Sequence, residues 1–419
     1  MARLWSTILL AAASLAMVSA TDEPQYKFEG NDAINNVAGN AVAANPAANP
    51  NLPGGWYDPE ECYGNYCVYA SHRAANGRGV VAVTTSASFE KLKRMDKSLG
   101  VPVPNEKEAV DPPLYEIKEV PGRGKVLVAN TTIKRGTKIV VSQPALVVHR
   151  KFMDDEEVDD EDQERLLKIA VDLLPEDTRK HLLARLVPQG EAKTLMELIR
   201  SRPFEDNLGL NWAGPEGYDN EKNLFAYPEL EHIPHHCQPN AAFHIDMAYV
   251  HHTTAVRKIE AGEEINISYF SPMMLRADRQ ARVEEWLGKP CTCSRCTGHG
   301  DLGNIAKSDA NLMEIEAIEK KLRDYESKDV TTAMLSRLLA LYEAEGLKSR
   351  YSDMYELLAI NYNALGYNKK AIKYANLAVQ AGIIEDGPDS NDVIAMRILA
   401  KSGLEHYSWK MRIKNQRLA

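Results

Sequence analysis

Two patterns of apolar residues divide this chain into a β-rich part and helical parts. In the β-rich part, short runs with many valines and isoleucines follow turns that contain glycine, at residues 80–84, 125–129 and 138–141. Runs of this length and composition between turns predict strands. We therefore expect a β-rich region that extends to about residue 148.

Leucine and isoleucine recur at helical spacing between residues 165 and 199, where Pro175 and Pro188 divide the segment into about three predicted helices. An almost continuously acidic run, residues 153–164, precedes them. Such a run is typical of a solvated loop or of helix N-termini, where carboxylates suit the helix dipole. Residues 153–202 are thus predicted to be a helical insertion.

A second helical pattern is continuous from residue 313 to residue 407. The two predicted helices on either side of Gly366 carry small and aromatic residues, and the pair resembles a tetratricopeptide-type hairpin. We predict an all-helical, tetratricopeptide-like C-terminal domain over residues 301–419.

The first twenty residues have the pattern of a secretory signal peptide. Arg3 provides the positive start, an apolar run follows, and Val18-Ser19-Ala20 is a small-residue cleavage site. Because the apolar run is shorter than the roughly 20 residues that a membrane span needs, we predict cleavage rather than anchoring. The expected destination is the secretory pathway or secretion, with the cytoplasm or nucleus as the alternative. No later segment is apolar enough to predict a membrane span.

The bulk composition narrows the partner classes. The chain has 419 residues, of which 44% are hydrophobic and 26% charged, and its formal net charge is −9. A net negative chain lacks the basic surface that nucleic acid requires, so a nucleic-acid partner is not expected. Residues 21–111 are predicted to be an N-terminal linker and a cysteine-containing region, in which Cys62 and Cys67 can form a disulfide in an oxidising compartment.

The other cysteines favour a metal. Cys291, Cys293 and Cys296 have the spacing Cys-x-Cys-x-x-Cys, and Cys237 lies earlier in the chain. Three thiolates so spaced can occupy three corners of a tetrahedral ion, with Cys237 as the fourth, which predicts a structural zinc site. Two disulfides are the alternative in a secreted chain, although a bridge between Cys291 and Cys293 would be badly strained.

Four sequence segments together resemble SET-domain protein lysine methyltransferases. The segments are Gly122-Arg123-Gly124, then His235-His236-Cys237-Gln238-Pro239-Asn240, then Gly262-Glu263-Glu264 followed by Tyr269, and finally the cysteine tail. The resemblance implies that the Gly-Arg-Gly turn, His235 and Asn240 lie against S-adenosylmethionine. It also implies that Tyr269, at the end of a strand expected over residues 264–270, is catalytic, and that the tail binds zinc together with Cys237.

The resemblance is nearest to the SET–MYND branch, with differences. The insertion at residues 153–202 contains no cysteine, so we expect no MYND finger. Pro234 stands where the family has asparagine, and Lys289 stands where it commonly has an aromatic residue that packs on adenine. Both differences weaken the expected hold on the cofactor.

We therefore predict an α+β chain: a SET β-fold over residues 112–272 with the helical insertion, a zinc-binding tail over residues 273–300 and the helical C-terminal domain. The expected function is S-adenosylmethionine-dependent methylation of a lysine on a protein. The alternative is a catalytically inactive SET scaffold that binds a protein partner through its helical domain.

Overall fold

The structure, a computed structural model, describes residues 55–57, 59–93, 113–121, 123–183, 194–201, 204–206, 222–230, 232–246, 248–298 and 304–413. The predicted signal peptide, the linker after it and Gly122 lie outside these residues. Within the described residues, no helix is both long enough and apolar enough to cross a bilayer.

The strands carry the β-rich part that the sequence predicts. Their bounds are β1 Cys62–Tyr63, β2 Tyr66–Ser71, β3 Val80–Thr85, β4 Tyr115–Val120, β5 Gly124–Ala129, β6 Lys138–Ser142, β7 Leu146–His149, β8 Phe204–Asp206, β9 Asn223–Ala226, β10 Ala241–Ile245 and β11 His251–Ala255. The strands predicted at residues 80–84, 125–129 and 138–141 are confirmed as β3, β5 and β6.

The described strands form three sheets, with the orders β1-β2-β3-β7-β9-β8, β10-β11-β6 and β4-β5. Strand β3 pairs parallel with β7 and antiparallel with β2. Strand β3 consists mainly of buried β-branched residues, and all four residues of β7 are buried, as expected of central strands covered on both faces. The cysteine-containing N-terminal region is therefore part of the main sheet, which the sequence pattern does not reveal. The Cys62–Cys67 disulfide closes its outer hairpin.

The helices are α1 Ser86–Leu92, α2 Arg150–Asp154, α3 Asp160–Asp172, α4 Glu176–Leu183, α5 Leu195–Ser201, α6 Arg276–Leu287, α7 Ser294–Thr297, α8 Ile305–Arg323, α9 Thr332–Ala344, α10 Tyr351–Ala364, α11 Asn368–Glu385 and α12 Asn391–Ser402. The insertion contains the end of α2 and all of α3 to α5. Asp159 caps α3, and acidic residues fill its first turn, which confirms the helix-start interpretation of the acidic run.

The insertion covers one face of the main sheet. Leu166, Leu167 and Ala170 of α3 are fully buried and pack in one apolar cluster with Val81 and Val83 of β3. A second cluster on β5, β6 and β11 includes Leu127, and a third joins α8 to α12. The helical C-terminal region is confirmed, whereas its tetratricopeptide-like character stays a prediction.

The strand expected over residues 264–270 is wrong. This segment makes isolated bridges only, at Glu264 with Val128 and at Ile267 with His235. Its first half bonds to β5 and its second half to the chain near Pro234, so no single neighbour supports a continuous ladder. The domain boundaries proposed from the sequence stay predictions.

Candidate active site and metal centre

Two segments that are distant in the sequence run side by side at the centre of the site. Ile267 N–H donates to the Pro234 carbonyl at 3.2 Å, and His236 N–H donates to the Ile267 carbonyl at 2.9 Å. Strand β5 is hydrogen-bonded to both segments, because Leu127 N–H donates to the His232 carbonyl while the Leu127 carbonyl accepts from Ile265 N–H. The three backbone stretches therefore form one hydrogen-bonded unit.

Asn240 locks this arrangement. Its side chain is fully buried, and its amide donates to the Glu264 carbonyl at 2.7 Å and to Glu263 Oε1 at 3.2 Å. A reciprocal pair joins it to Asn266: each asparagine's backbone N–H donates to the other's side-chain oxygen, at 2.9 and 3.0 Å. The geometry gives Asn240 a structural task, and its predicted contact with a cofactor stays a prediction.

We expect Asn240→Ala to lower the free energy of unfolding by about 1–3 kcal/mol, because it leaves the partly buried Asn266 N–H without its partner and the Glu264 carbonyl with only the 3.3 Å contact from the Asn266 amide. Urea unfolding of the purified chain measures this change. The control is Asn376→Ala on the exposed face of α11, where we expect a change within about 0.5 kcal/mol. Equal effects of the two substitutions would show that the Asn240 hydrogen bonds do not stabilise this arrangement.

Hydrogen bonds hold both the backbone and the phenol of Tyr269. Its backbone N–H donates to His235 Nδ1 at 3.1 Å, and its phenol donates to the Ile233 carbonyl at 2.6 Å. Burial lowers the pKa of His235 to about 4, so its imidazole is neutral near pH 7. Because Nδ1 accepts, Nε2 carries the proton and points at Cys237 Sγ, 3.2 Å away. His235 thus connects the tyrosine to the cysteine cluster.

The Gly-Arg-Gly turn lies against the same unit. Arg123 makes a two-pronged ion pair with Glu264, with both N–O distances 2.8 Å. Gly124 has a φ of +73°, and a Cβ built on it would meet no atom within 4 Å. This backbone therefore faces open space beside Glu264, as a turn that approaches a ligand closely would require.

Cys237 and the three cysteines of the tail come together as the sequence predicts. Their sulfurs all lie within 4.8 Å of one another, with Cys237 Sγ 3.9 Å from Cys291 Sγ and 3.5 Å from Cys296 Sγ. Tetrahedral zinc with Zn–S distances of about 2.3 Å requires sulfurs about 3.8 Å apart. Three of the four cysteines are buried, and none is in a disulfide. The cluster fits a zinc ion in spacing and in ligand chemistry.

One contact of the tail was missed by sequence reasoning. Arg295, between two of the cysteines, is buried and donates to the carbonyls of Cys237 and Pro272 at 2.9 and 2.7 Å. Its other nitrogen lies 3.3 Å from Glu345, a fully buried carboxylate directly after α9. The cysteine tail is therefore tied to the helical region by a buried ion pair, whose partners are fifty positions apart and carry no local pattern.

Comparison with known proteins relates the region around this site to a protein family. Residues 124–270 match the family model described as SET domain. This region is a SET domain. The histone-lysine N-methyltransferases SMYD3 of Mus musculus and Homo sapiens are each 23% identical to the chain over 207 residues, which is 48% of this chain and 48% of each relative. The chain thus spans about half the length of these curated relatives.

Two further similarities involve SET proteins. A SET and MYND domain-containing protein of Dictyostelium discoideum is 32% identical over 76 residues, 18% of this chain and 22% of that protein. The crystal structure of the SET domain of LSMT bound to lysine and AdoHcy matches 80% of this chain and 96% of that chain, at 14% identity and a TM-score of 0.26.

The structure brings most of the predicted site residues of the SET domain into one region. Tyr269, His235 and Cys237 are in contact, and Arg123 reaches the same segment through Glu264. Gly122 lies outside the described residues. Pro234 contributes its carbonyl to Ile267, and Lys289 is exposed on the surface after α6.

Proposed function

We propose that the chain is an S-adenosylmethionine-dependent protein-lysine methyltransferase. The observation that carries the proposal is the double anchoring of Tyr269, through His235 and the Ile233 carbonyl, inside the SET domain. A phenol held in this way is an oriented polar group, which suits alignment of a reacting amine. The sequence relatives are named as histone-lysine methyltransferases, which supports the reaction class.

S-adenosylmethionine would be held by two parts of the chain: the backbone around Arg123 and Gly124, and the segment from Ile233 to His235. When bound, the cofactor would supply an electrophilic methyl group on a sulfonium. The open space at Gly124 and the neutral His235 ring fit such a group, because neither places a positive charge against the sulfonium. Pro234 lacks the amide side chain that the family has at this position, and its carbonyl already accepts from Ile267 N–H, so we expect weaker binding than the family pattern implies.

The chain's own contribution would be orientation and control of protonation. A substrate lysine, whose pKa is near 10.4 in water, must lose its proton before it attacks. Burial of the lysine in the site would lower that pKa, because burial disfavours the charged form. The Tyr269 phenol can accept as well as donate a hydrogen bond, so it can align the neutral amine for in-line attack.

We expect Tyr269→Phe to lower methyl transfer by about 100-fold or more, since it removes a positioned polar group at the reacting centre. The measurement is the mass gain of lysine-containing peptides in a library incubated with S-adenosylmethionine and the purified chain. Tyr367→Phe, an exposed tyrosine of the helical region, serves as the control and should keep full activity. Equal activity of wild type and Tyr269→Phe would overturn the assigned role.

The four-cysteine cluster is proposed to bind a structural zinc ion, on the fit described above. The second candidate function, an inactive SET scaffold that binds a protein through a tetratricopeptide-like domain, is favoured by Pro234 and Lys289. The proposed localisation in the secretory pathway depends on the N-terminal sequence pattern alone.

A further inference from the structure

A cleft of about 370 Å³ opens between the SET domain and the helical region. We call it the basic cleft, because four cationic side chains lie around a lining whose exposed surface is mainly apolar: Arg135, Arg257, Lys258 and Lys348. Tyr351 and Tyr355 also line it. Its volume lies in the range typical of sites for small ligands or a few residues of peptide. In a chain with a net charge of −9, four cations around one opening are a local exception.

Two of these cations are neutralised by the protein and two are not. Arg257 pairs with Glu263, and Lys258 pairs with Glu260 at 2.7 Å. Arg135 and Lys348 make no ion pair within the described part of the chain, and both are exposed. The basic cleft therefore presents two cationic groups to an incoming ligand.

Two carboxylates that influence the cleft's tyrosines do not cancel this charge. Glu343 and Glu385 both act electrostatically on Tyr351 and Tyr355. Glu385 accepts a hydrogen bond from Ser352 N–H at 3.1 Å, and burial raises its pKa to about 8, so it is mostly neutral near pH 7. Glu343 is exposed to solvent, where its charge is screened.

The rest of the lining suits a peptide better than a bare ion. Val256 and Leu377 add apolar surface, and the rings of Tyr351 and Tyr355 contact each other edge to face at 5.5 Å. Aromatic rings beside cationic groups can cover the aliphatic part of a side chain while the cations bind its charged end. A single inorganic anion would fill a small part of this volume.

We propose that the basic cleft binds an acidic segment of a protein partner, with a carboxylate between Arg135 and Lys348. The proposal goes beyond methyl transfer and does not depend on it, because it is a statement about binding. A methyltransferase can lack this site and an inactive scaffold can have it, so the two proposals fail independently.

The test uses the purified full chain and a short fluorescein-labelled peptide of alternating glutamate and alanine, followed by fluorescence anisotropy. A matched peptide has glutamine in place of every glutamate. We expect the acidic peptide to bind and the glutamine peptide not to bind. The double variant Arg135→Gln, Lys348→Gln should weaken binding by about fivefold to thirtyfold, as two partly exposed charge pairs would.

The control variant Lys320→Gln, Lys321→Gln removes the same charge from the exposed surface of α8 and should bind like wild type. Equal weakening in the two double variants would mean that net charge alone attracts the peptide, and it would overturn the proposal. Equal binding of both peptides would overturn it too. Inorganic phosphate provides the remaining arm: if phosphate stabilises the chain through Arg135 and Lys348 while the acidic peptide does not bind, the cleft takes a free anion and the peptide proposal fails.

Discussion

Cys291→Ser is expected to abolish zinc binding and to destabilise the chain by several kcal/mol, the largest effect we predict for a single substitution. The reason is the burial of Cys237, Cys291 and Cys296, which share a small cluster with Val283. Little apolar packing supports this cluster, so the metal would supply much of its stability, as it does in small zinc domains. We expect one equivalent of zinc in wild type by elemental analysis, none in the variant, and a lower thermal midpoint.

Thr292→Ser is the matched control, because Thr292 is exposed between two of the cysteines. It should retain zinc and the wild-type midpoint. Treatment of wild type with a strong chelator should reproduce the effect of Cys291→Ser. A wild-type chain that is stable without metal, or one whose four cysteines are found paired as disulfides, would contradict the zinc assignment.

Glu345→Ala is expected to lower the free energy of unfolding by about 3–5 kcal/mol, the usual result of leaving one member of a buried ion pair without its partner. Glu345 accepts from Ser308 Oγ at 2.5 Å and from Asn311 at 2.7 Å as well as pairing with Arg295. Its loss would leave a buried guanidinium and two polar groups of α8 unsatisfied. Urea unfolding, followed by circular dichroism, measures the change.

The control removes an exposed ion pair between α8 and α9. Glu314 of α8 pairs with Arg337 of α9 at the surface, and we expect Glu314→Ala to cost below about 1 kcal/mol. The double substitution Arg295→Met, Glu345→Gln should recover part of the lost stability, because it removes the unpaired charge and not only its partner. Equal costs for Glu345→Ala and Glu314→Ala would refute the buried-pair explanation.

The sequence predicts the features that depend on local patterns. The valine-rich runs of β3 and β5 and the acidic start of α3 follow from composition and capping within a few residues. The convergence of the four cysteines could be predicted because their spacing suits the tetrahedral coordination that zinc prefers.

The features that sequence reasoning missed depend on distant contacts. The extended segment from Glu264 to Tyr269 has the alternation of a strand, but its hydrogen bonds go to two different neighbours, so the expected ladder does not form. The pairing of β3 with β7 joins residues more than sixty positions apart. The only sequence signal for the ion pair between Arg295 and Glu345 is the presence of a charged residue, Arg295, within the cysteine motif.

The measurement that tests the central claim most directly is a calorimetric titration of S-adenosylmethionine into the folded, zinc-loaded chain, with Tyr269→Phe as the companion. We predict micromolar binding that the Tyr269→Phe variant retains, since the phenol is assigned to the amine and not to the cofactor. Such binding would show that the chain holds the cofactor despite Pro234 and Lys289. The absence of binding by a folded, zinc-loaded chain would contradict the methyltransferase proposal and favour the inactive scaffold.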